Sequence, residues 1–306
     1  MVFDQAGGYL FSGWRGRIVT LFFLLISLAV VVMVIFTNWT TISTYEWQVR
    51  PVWIGYGLFF LAIDLFLGAL AWHLIVIRFT EHKSLRQNVK FWNFSNLARR
   101  IPGTIWYISS RAVLYERHGV SKATTIVLSG LEMALILVSG IVIFIIILPF
   151  WALPDDLVDG LGNLWFILIL LPPCLLLVHP RVLDRLWRKL SPLTTIQKLH
   201  WRDTIGWLFL YLVIWAIGAL TLFSAVNFVH PLPIQQLAPI IGMWALASTI
   251  SLAGALTFTS FGVREISLTL LLAQLIPAPI ALIVAIIVRI FWLAGEWVGG
   301  VLSLLL

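Results

Sequence analysis

Apolar positions in this chain run in long unbroken blocks and do not alternate with polar ones. Blocks at about 18–37, 52–77, 124–152, 161–178, 205–228, 236–256, 264–276 and 278–302 are separated by short polar stretches. Runs such as IVTLFFLLISLAVVVMVIFT at 18–37 and IVLSGLEMALILVSGIVIFIIIL at 126–148 reach the roughly 20 apolar residues that one helical crossing of a bilayer needs. A β-barrel would show a period of two, and none is present. Six blocks read as full spans. Those at 236–256 and 264–276 are joined only by TFTSFGV, and the second is short, which predicts a broken helix or a re-entrant pair.

Two breaks carry charge into apolar surroundings. In LARRIPGTIWYISSRAVLYER at 97–117, Pro102 removes a backbone donor and Gly103 permits conformations other residues avoid, so one helix ends there and another starts near Thr104. Thr104, Ile108, Arg111 and Tyr115 then recur at helical spacing, placing Arg111 two turns inside an apolar segment. In LTFTSFGVREISLTLLL, Gly262 precedes Arg264 and Glu265 at the head of another half-helix. The expected fold is an all-α polytopic membrane protein with about 6 to 8 transmembrane helices and broken or re-entrant half-helices near 97–117 and 256–276. It forms a single transmembrane domain, with the halves at about 1–152 and 153–306 as candidate pseudo-repeats.

Composition agrees: 61% of the 306 residues are hydrophobic and 11% charged, against about 25% charged in an average soluble domain. The first run has no A-x-A site after it and is read as a retained span, not a signal peptide. The single cysteine, Cys174, excludes an internal disulfide and a cysteine metal cluster. The net charge of +7 is unevenly placed. Lys and Arg number two before the first span, then one, nine, zero, six and zero in successive loops, which predicts a multi-pass plasma-membrane protein with both termini cytoplasmic. That basic surface suits anionic lipid, and no soluble basic module for nucleic acid is expected. Of sixteen tryptophans, Trp39, Trp47, Trp53, Trp151, Trp187, Trp201 and Trp207 fall near span ends and fit an interfacial belt.

Charged residues inside spans are costly and point to function. Arg111 and Arg264, each after a helix break, are candidate lipid-phosphate ligands; Asp64, Glu132 and Glu265 are candidate polar-cavity or coupling acids; Pro102, Gly103 and Gly262 are the helix breaks. Other readings stand beside these. The 104–117 helix could lie on the inner leaflet with Arg111 reaching headgroups, Arg264 could be a positive-inside residue, and the acids could be structural partners of Arg111, Arg264 or Arg289. Arg289 and Glu296 share a face of the last span near its expected cytoplasmic end. The six histidines lack metal-ligand spacing, and no nucleotide loop, hydrolase elbow or zinc motif occurs. No metal, cofactor or catalytic residue is therefore assigned.

The order PGTIWYISSRAVLYERHGVSKA at 102–123, Glu132 early in the next span, and FGVREISLTLLL at 261–272 resembles the lysylphosphatidylglycerol synthase transmembrane-region family, or flippase-like membrane proteins, over nearly the whole chain. The resemblance places Pro102, Gly103 and Arg111 in a first motif, Gly119-Val120-Ser121 in a linker, Glu132 as the acid, and Gly262, Arg264 and Glu265 in a last motif. The second break departs from the Pro-Gly-Gly type of many members, having one glycine and no proline. Larger relatives fuse this region to a soluble aminoacyl-transfer domain, and no such domain is expected in this chain. The resemblance implies a non-enzyme that binds and translocates an anionic lipid, either a phospholipid or a polyprenyl-phosphate-linked glycan. The alternative is an accessory subunit presenting a lipid carrier to a membrane glycosyltransferase or aminoacyl-lipid synthase. A membrane-embedded transferase is the third reading.

Overall fold

The least apolar helix, at 85–98, could not face the bilayer, so its position explains the architecture. The computed structural model describes residues 36–37, 39–98, 104–151, 200–255 and 262–305, with a few positions between 172 and 185. Pro102, Gly103, Cys174, Trp187 and most of the apolar runs at 18–37 and 161–178 lie outside the described residues. The helices are α1 (Trp39–Thr44), α2 (Val52–Phe79), α3 (Leu85–Ala98), α4 (Thr104–Glu116), α5 (Lys122–Ile147), α6 (Trp201–Val229), α7 (Leu237–Ala255), α8 (Val263–Leu272) and α9 (Ala278–Leu305). No strand occurs among the described residues. Among them, five stretches are long and apolar enough to cross a membrane: Val52–Phe79, Lys122–Phe150, Trp201–Val229, Ile234–Gly254 and Ala278–Leu305.

Named contacts fix the direction of each helix. Helices α2 and α6 are antiparallel: Arg78 Nε bonds Asp203 at 3.0 Å at one end, and the Arg50 amide bonds the Phe228 carbonyl at 3.0 Å at the other. The first end also holds the start of α3 and the end of α9, where Arg86 Nη2 donates to the Leu305 carbonyl at 3.2 Å. Arg78, Lys83, Arg86, Lys90, Arg117, Lys122 and Arg202 gather there; we call it the basic end. Arg50 lies at the opposite end, where Trp151, just beyond α5, packs against Gly242 of α7.

The two breaks organise paired arms that enter from opposite ends. From the basic end, α3 rises and α4 returns beside it, as the bonds from Arg111 to Ser95 and from Tyr115 to Asn88 show. Their 14 and 13 residues extend about 20 Å each, short of a hydrocarbon core of about 30 Å. From the opposite end, α7 descends; α8 returns to that end antiparallel to α9, with Glu265 bonded to Arg289 at 3.0 Å. The short apolar block at 264–276 is thus a half-helix, as the sequence predicts. Helix α3 buries Asn88 and Ser95 against protein, where they bond Tyr115, His73 and Arg111, which removes the cost those groups would carry in lipid.

The Gly-Val-Ser linker has a local explanation. Gly119 takes φ 83°, its amide bonds the Glu116 carbonyl, and the Val120 amide bonds the Tyr115 carbonyl; this is a Schellman closure of α4. Val120 is buried, and the Ser121 hydroxyl then accepts from the Thr124 amide at 3.1 Å as the N-cap of α5.

Two apolar clusters bracket the middle of the bundle. One joins Trp215, Leu222, Val226, Ile240, Met243 and Val284 toward the opposite end; the other joins Trp72, Ile75, Phe91, Leu128 and Trp207 toward the basic end. Trp151 and Trp207 are therefore core residues, contrary to the belt expected from their place near span ends; Trp39 and Trp201 are exposed as that belt requires.

Candidate functional site

Between the two clusters lies a cavity of about 360 Å³. Both pairs of arms line it: Trp92, Asn96 and Tyr107 from α3 and α4, and Trp244, Ser248, Gly262, Arg264 and Glu265 from α7, α8 and the residue before α8. Asp64 (α2), Glu132 (α5), Tyr211 (α6) and Arg289, Trp292 and Glu296 (α9) complete its polar and aromatic wall. Of the residues singled out in the sequence, Asp64, Glu132, Gly262, Arg264 and Glu265 thus meet in one place. Arg111 does not line the cavity. Arg289 and Glu296, which the sequence places near a helix end, are mid-helix cavity residues.

Glu132 is held from three sides. Its carboxylate accepts from Trp92 Nε1 at 3.2 Å, from Arg111 Nη1 at 2.5 Å, and from the Tyr107 hydroxyl. Arg111 is 0% exposed and Glu132 2%, so this is a buried ion pair, the structural alternative that the sequence leaves open. The guanidinium lies 3.8 Å from the Trp72 ring and 4.3 Å from the Tyr107 ring, and its Nε donates to Ser95 at 3.1 Å. Behind it the bonds continue: Trp72 Nε1 donates to the Tyr115 hydroxyl, which donates to Asn88, whose amide donates to His73. The result ties α2, α3, α4 and α5 together around one carboxylate. Trp92 reaches it because Gly68 of α2 leaves room; a Cβ there would sit 2.7 Å from the indole.

The other wall is built around Arg264. Gly262, at φ 80°, turns the chain into α8 in a left-handed conformation that glycine takes without strain. Arg264 then lies with its guanidinium carbon 4.0 Å from the Trp244 ring and 5.1 Å from the Trp292 ring, and those two rings are themselves 4.7 Å apart. Such stacking of a cation on indoles is worth about 1–2 kcal/mol when desolvated. Gly218 of α6 makes this corner possible, since a Cβ there would meet Trp244 Nε1 at 2.6 Å and Asp64 Oδ1 at 3.2 Å.

At the basic end, outside the spans, His82 sits in the turn between α2 and α3, with its ring 5.8 Å from His118 and 5.6 Å from Tyr115. Burial first, and then the nearby His118 and His73, lower its pKa below the ordinary histidine value. Among the described residues no three His, Cys, Asp or Glu side chains are grouped to hold a metal ion.

Trp92, Tyr107, Trp244 and Trp292 carry no signal in the sequence, because their roles depend on which helices become neighbours. No curated protein and no solved structure matches this chain. The family model described as the lysylphosphatidylglycerol synthase TM region matches residues 19–295, from before α1 into α9 and across both pairs of arms, and the chain belongs to that family of multi-pass membrane proteins.

Proposed function

We propose that this chain binds the phosphate-bearing headgroup of an anionic lipid, a phospholipid or a polyprenyl-phosphate-linked glycan, and carries it across the bilayer without covalent chemistry. The observation that supports this reading is the mid-depth cavity, lined by paired arms from opposite ends and carrying a guanidinium seated on two indoles. Its volume is at the small end of the range for ligand pockets, about 300–1,000 Å³, which suits a headgroup with the acyl chains left in lipid.

Arg264 is the group that faces the phosphate. A guanidinium held by its plane presents its N–H edge in fixed geometry, the arrangement that favours bidentate phosphate binding. Arg111 acts through Glu132, fixing α3 and α4 as the other wall. Asp64, Glu132 and Glu265 are the polar-cavity acids of this reading. The basic end is the cytoplasmic one in this reading, because Arg78, Lys83, Arg86, Lys90, Arg117, Lys122 and Arg202 lie there and Arg50 lies at the opposite end; α9 ends on that side, and the N-terminus, outside the described residues, is assigned to it from the basic residues Arg15 and Arg17.

The test is reconstitution of the purified protein alone into phosphatidylcholine liposomes, with fluorescent phosphatidylglycerol in one arm and a fluorescent polyprenyl phosphate in the other. Arg264→Gln should abolish flipping of the lipid that wild-type protein moves; Arg264→Lys should restore part, and Arg86→Gln should have little effect. Wild-type protein that moves neither lipid without a partner would favour the accessory reading, and equal rates for wild type and Arg264→Gln would remove Arg264 from the site.

A further inference from the structure

The charged groups facing the cavity are not equivalent. Glu132 is held by Arg111, Tyr107 and Trp92, and Glu265 is bonded to Arg289. Asp64 is arranged differently. It projects from the middle of α2 into the cavity, half-buried, in the corner opened by Gly218, beside the indole on which Arg264 lies. A ligand phosphate at Arg264 therefore comes close to the Asp64 carboxylate, and two anions then share one guanidinium in a confined space.

We propose that Asp64 is a proton site coupled to the anion site: the carboxylate takes up a proton as the anionic headgroup binds and releases it as the headgroup leaves, so that lipid and proton move together. This rests on the lipid-phosphate reading of the cavity. In the coupling the carboxylate gains H⁺ from water in the cavity, becomes a neutral acid, and returns H⁺ when the anion departs. Like charges brought together raise proton affinity, and by linkage the proton raises anion affinity by the same factor. Affinity for the lipid therefore increases as pH falls through the titration of Asp64, by up to about tenfold per pH unit, and levels off once Asp64 is protonated. The other titratable or charged groups facing this space are Tyr211 from α6, Glu296 and Arg289 from α9, Glu265 and Arg264 from α8, and Tyr107 and Glu132 from α4 and α5, with Arg111 behind them bonded to Glu132. Among them, none but Asp64 combines a place in the cavity with the Gly218 corner beside the Arg264 seat.

Calorimetric titration with dioctanoyl phosphatidylglycerol, in two buffers of different ionisation enthalpy at one near-neutral pH, reads the protons taken up per lipid bound; glycerol 1-phosphate in a parallel arm separates lipid from free phosphate ester. Wild-type protein should take up a measurable fraction of a proton per lipid. Asp64→Asn should bind with no proton uptake and with an affinity independent of pH, and flipping in liposomes should no longer respond to an imposed pH gradient. Binding by wild type without proton uptake across the neutral and acidic range overturns the coupling while leaving the anion site intact, and needs no variant to fold. Uptake that survives in Asp64→Asn and disappears in Glu296→Gln or Glu265→Gln also overturns it. The absence of binding heat with dioctanoyl phosphatidylglycerol and with a short-chain polyprenyl phosphate alike sinks both this inference and the site beneath it.

Discussion

Replacing Arg111 with methionine keeps much of the side-chain volume and removes the charge. Glu132 would then retain only the Trp92 and Tyr107 donors, in a place where it is 2% exposed. Removing one partner of a buried pair typically costs about 3–5 kcal/mol, because the surviving charge is left desolvated. Loss of stacking on Trp72 and Tyr107 adds to this. An ordinary interhelical hydrogen bond in a membrane averages about 0.6 kcal/mol, so Asn93→Ala, which breaks the 2.7 Å bond to Ser303, supplies an internal yardstick. Unfolding in mixed micelles of detergent and dodecyl sulfate would be followed by tryptophan fluorescence for Arg111→Met, Glu132→Gln, the double variant and Asn93→Ala. Each single variant of the pair should lose several times what Asn93→Ala loses, and the double variant should lose less than the sum. Arg111→Lys should be intermediate, keeping a charge but losing the flat stack and the bond to Ser95. If Arg111→Met is no more destabilised than Asn93→Ala while lipid binding is lost, the pair is not structural and Arg111 belongs to the ligand.

Gly218→Ala should cost about 1–3 kcal/mol in the same assay and weaken lipid binding, since its methyl group displaces Trp244 and Asp64 together; unchanged stability and binding would show that this corner yields easily. The lowered pKa of His82 means that the unfolded chain binds the proton more readily, so between the two pKa values stability falls as pH falls, beginning near the ordinary value of about 6.5. His82→Asn should flatten that acid limb in a thermal-shift pH series, and an unchanged limb would assign it to other groups. In a Cys174→Ser background, a cysteine at Ser43 should react with an impermeant thiol reagent on intact cells and one at Lys83 should not; the reverse pattern would invert the proposed orientation.

Both breaks are legible in the sequence because their signals are local: Pro-Gly in one, Gly262 followed by charge in the other, each inside an apolar segment. The five spans among the described residues are legible for the same reason. Arg111 is conspicuous as a buried cation, but its partner is not decidable from spacing, since Glu132, Asp64 and an external phosphate satisfy the same one-dimensional pattern. Trp207 shows the opposite failure. Position near a span end suggests a belt residue, whereas the neighbouring α2 decides its burial, its ring lying 5.9 Å from Phe79. The depth of Arg289 is misjudged from sequence because α9 runs 28 residues, longer than one crossing needs, so counting from its end gives no reliable level in the membrane.

The bond between Asn93 and Ser303 joins residues 210 positions apart, and Arg86 reaches Leu305 in the same region. Helices α3 and α4 are each too short to cross, and α3 carries buried asparagines and a serine that lipid would reject. A ribosome making this chain therefore releases α3 long before α9, the helix that packs against it, exists. Until α9 is inserted, α3 lacks one side of its protein surroundings, while α2 already covers another. The arrangement predicts an ordered biogenesis in which α3 settles into place after the long spans that surround it. Stalled chains lacking α9 should expose α3 to protease even though every residue of α3 has already been made.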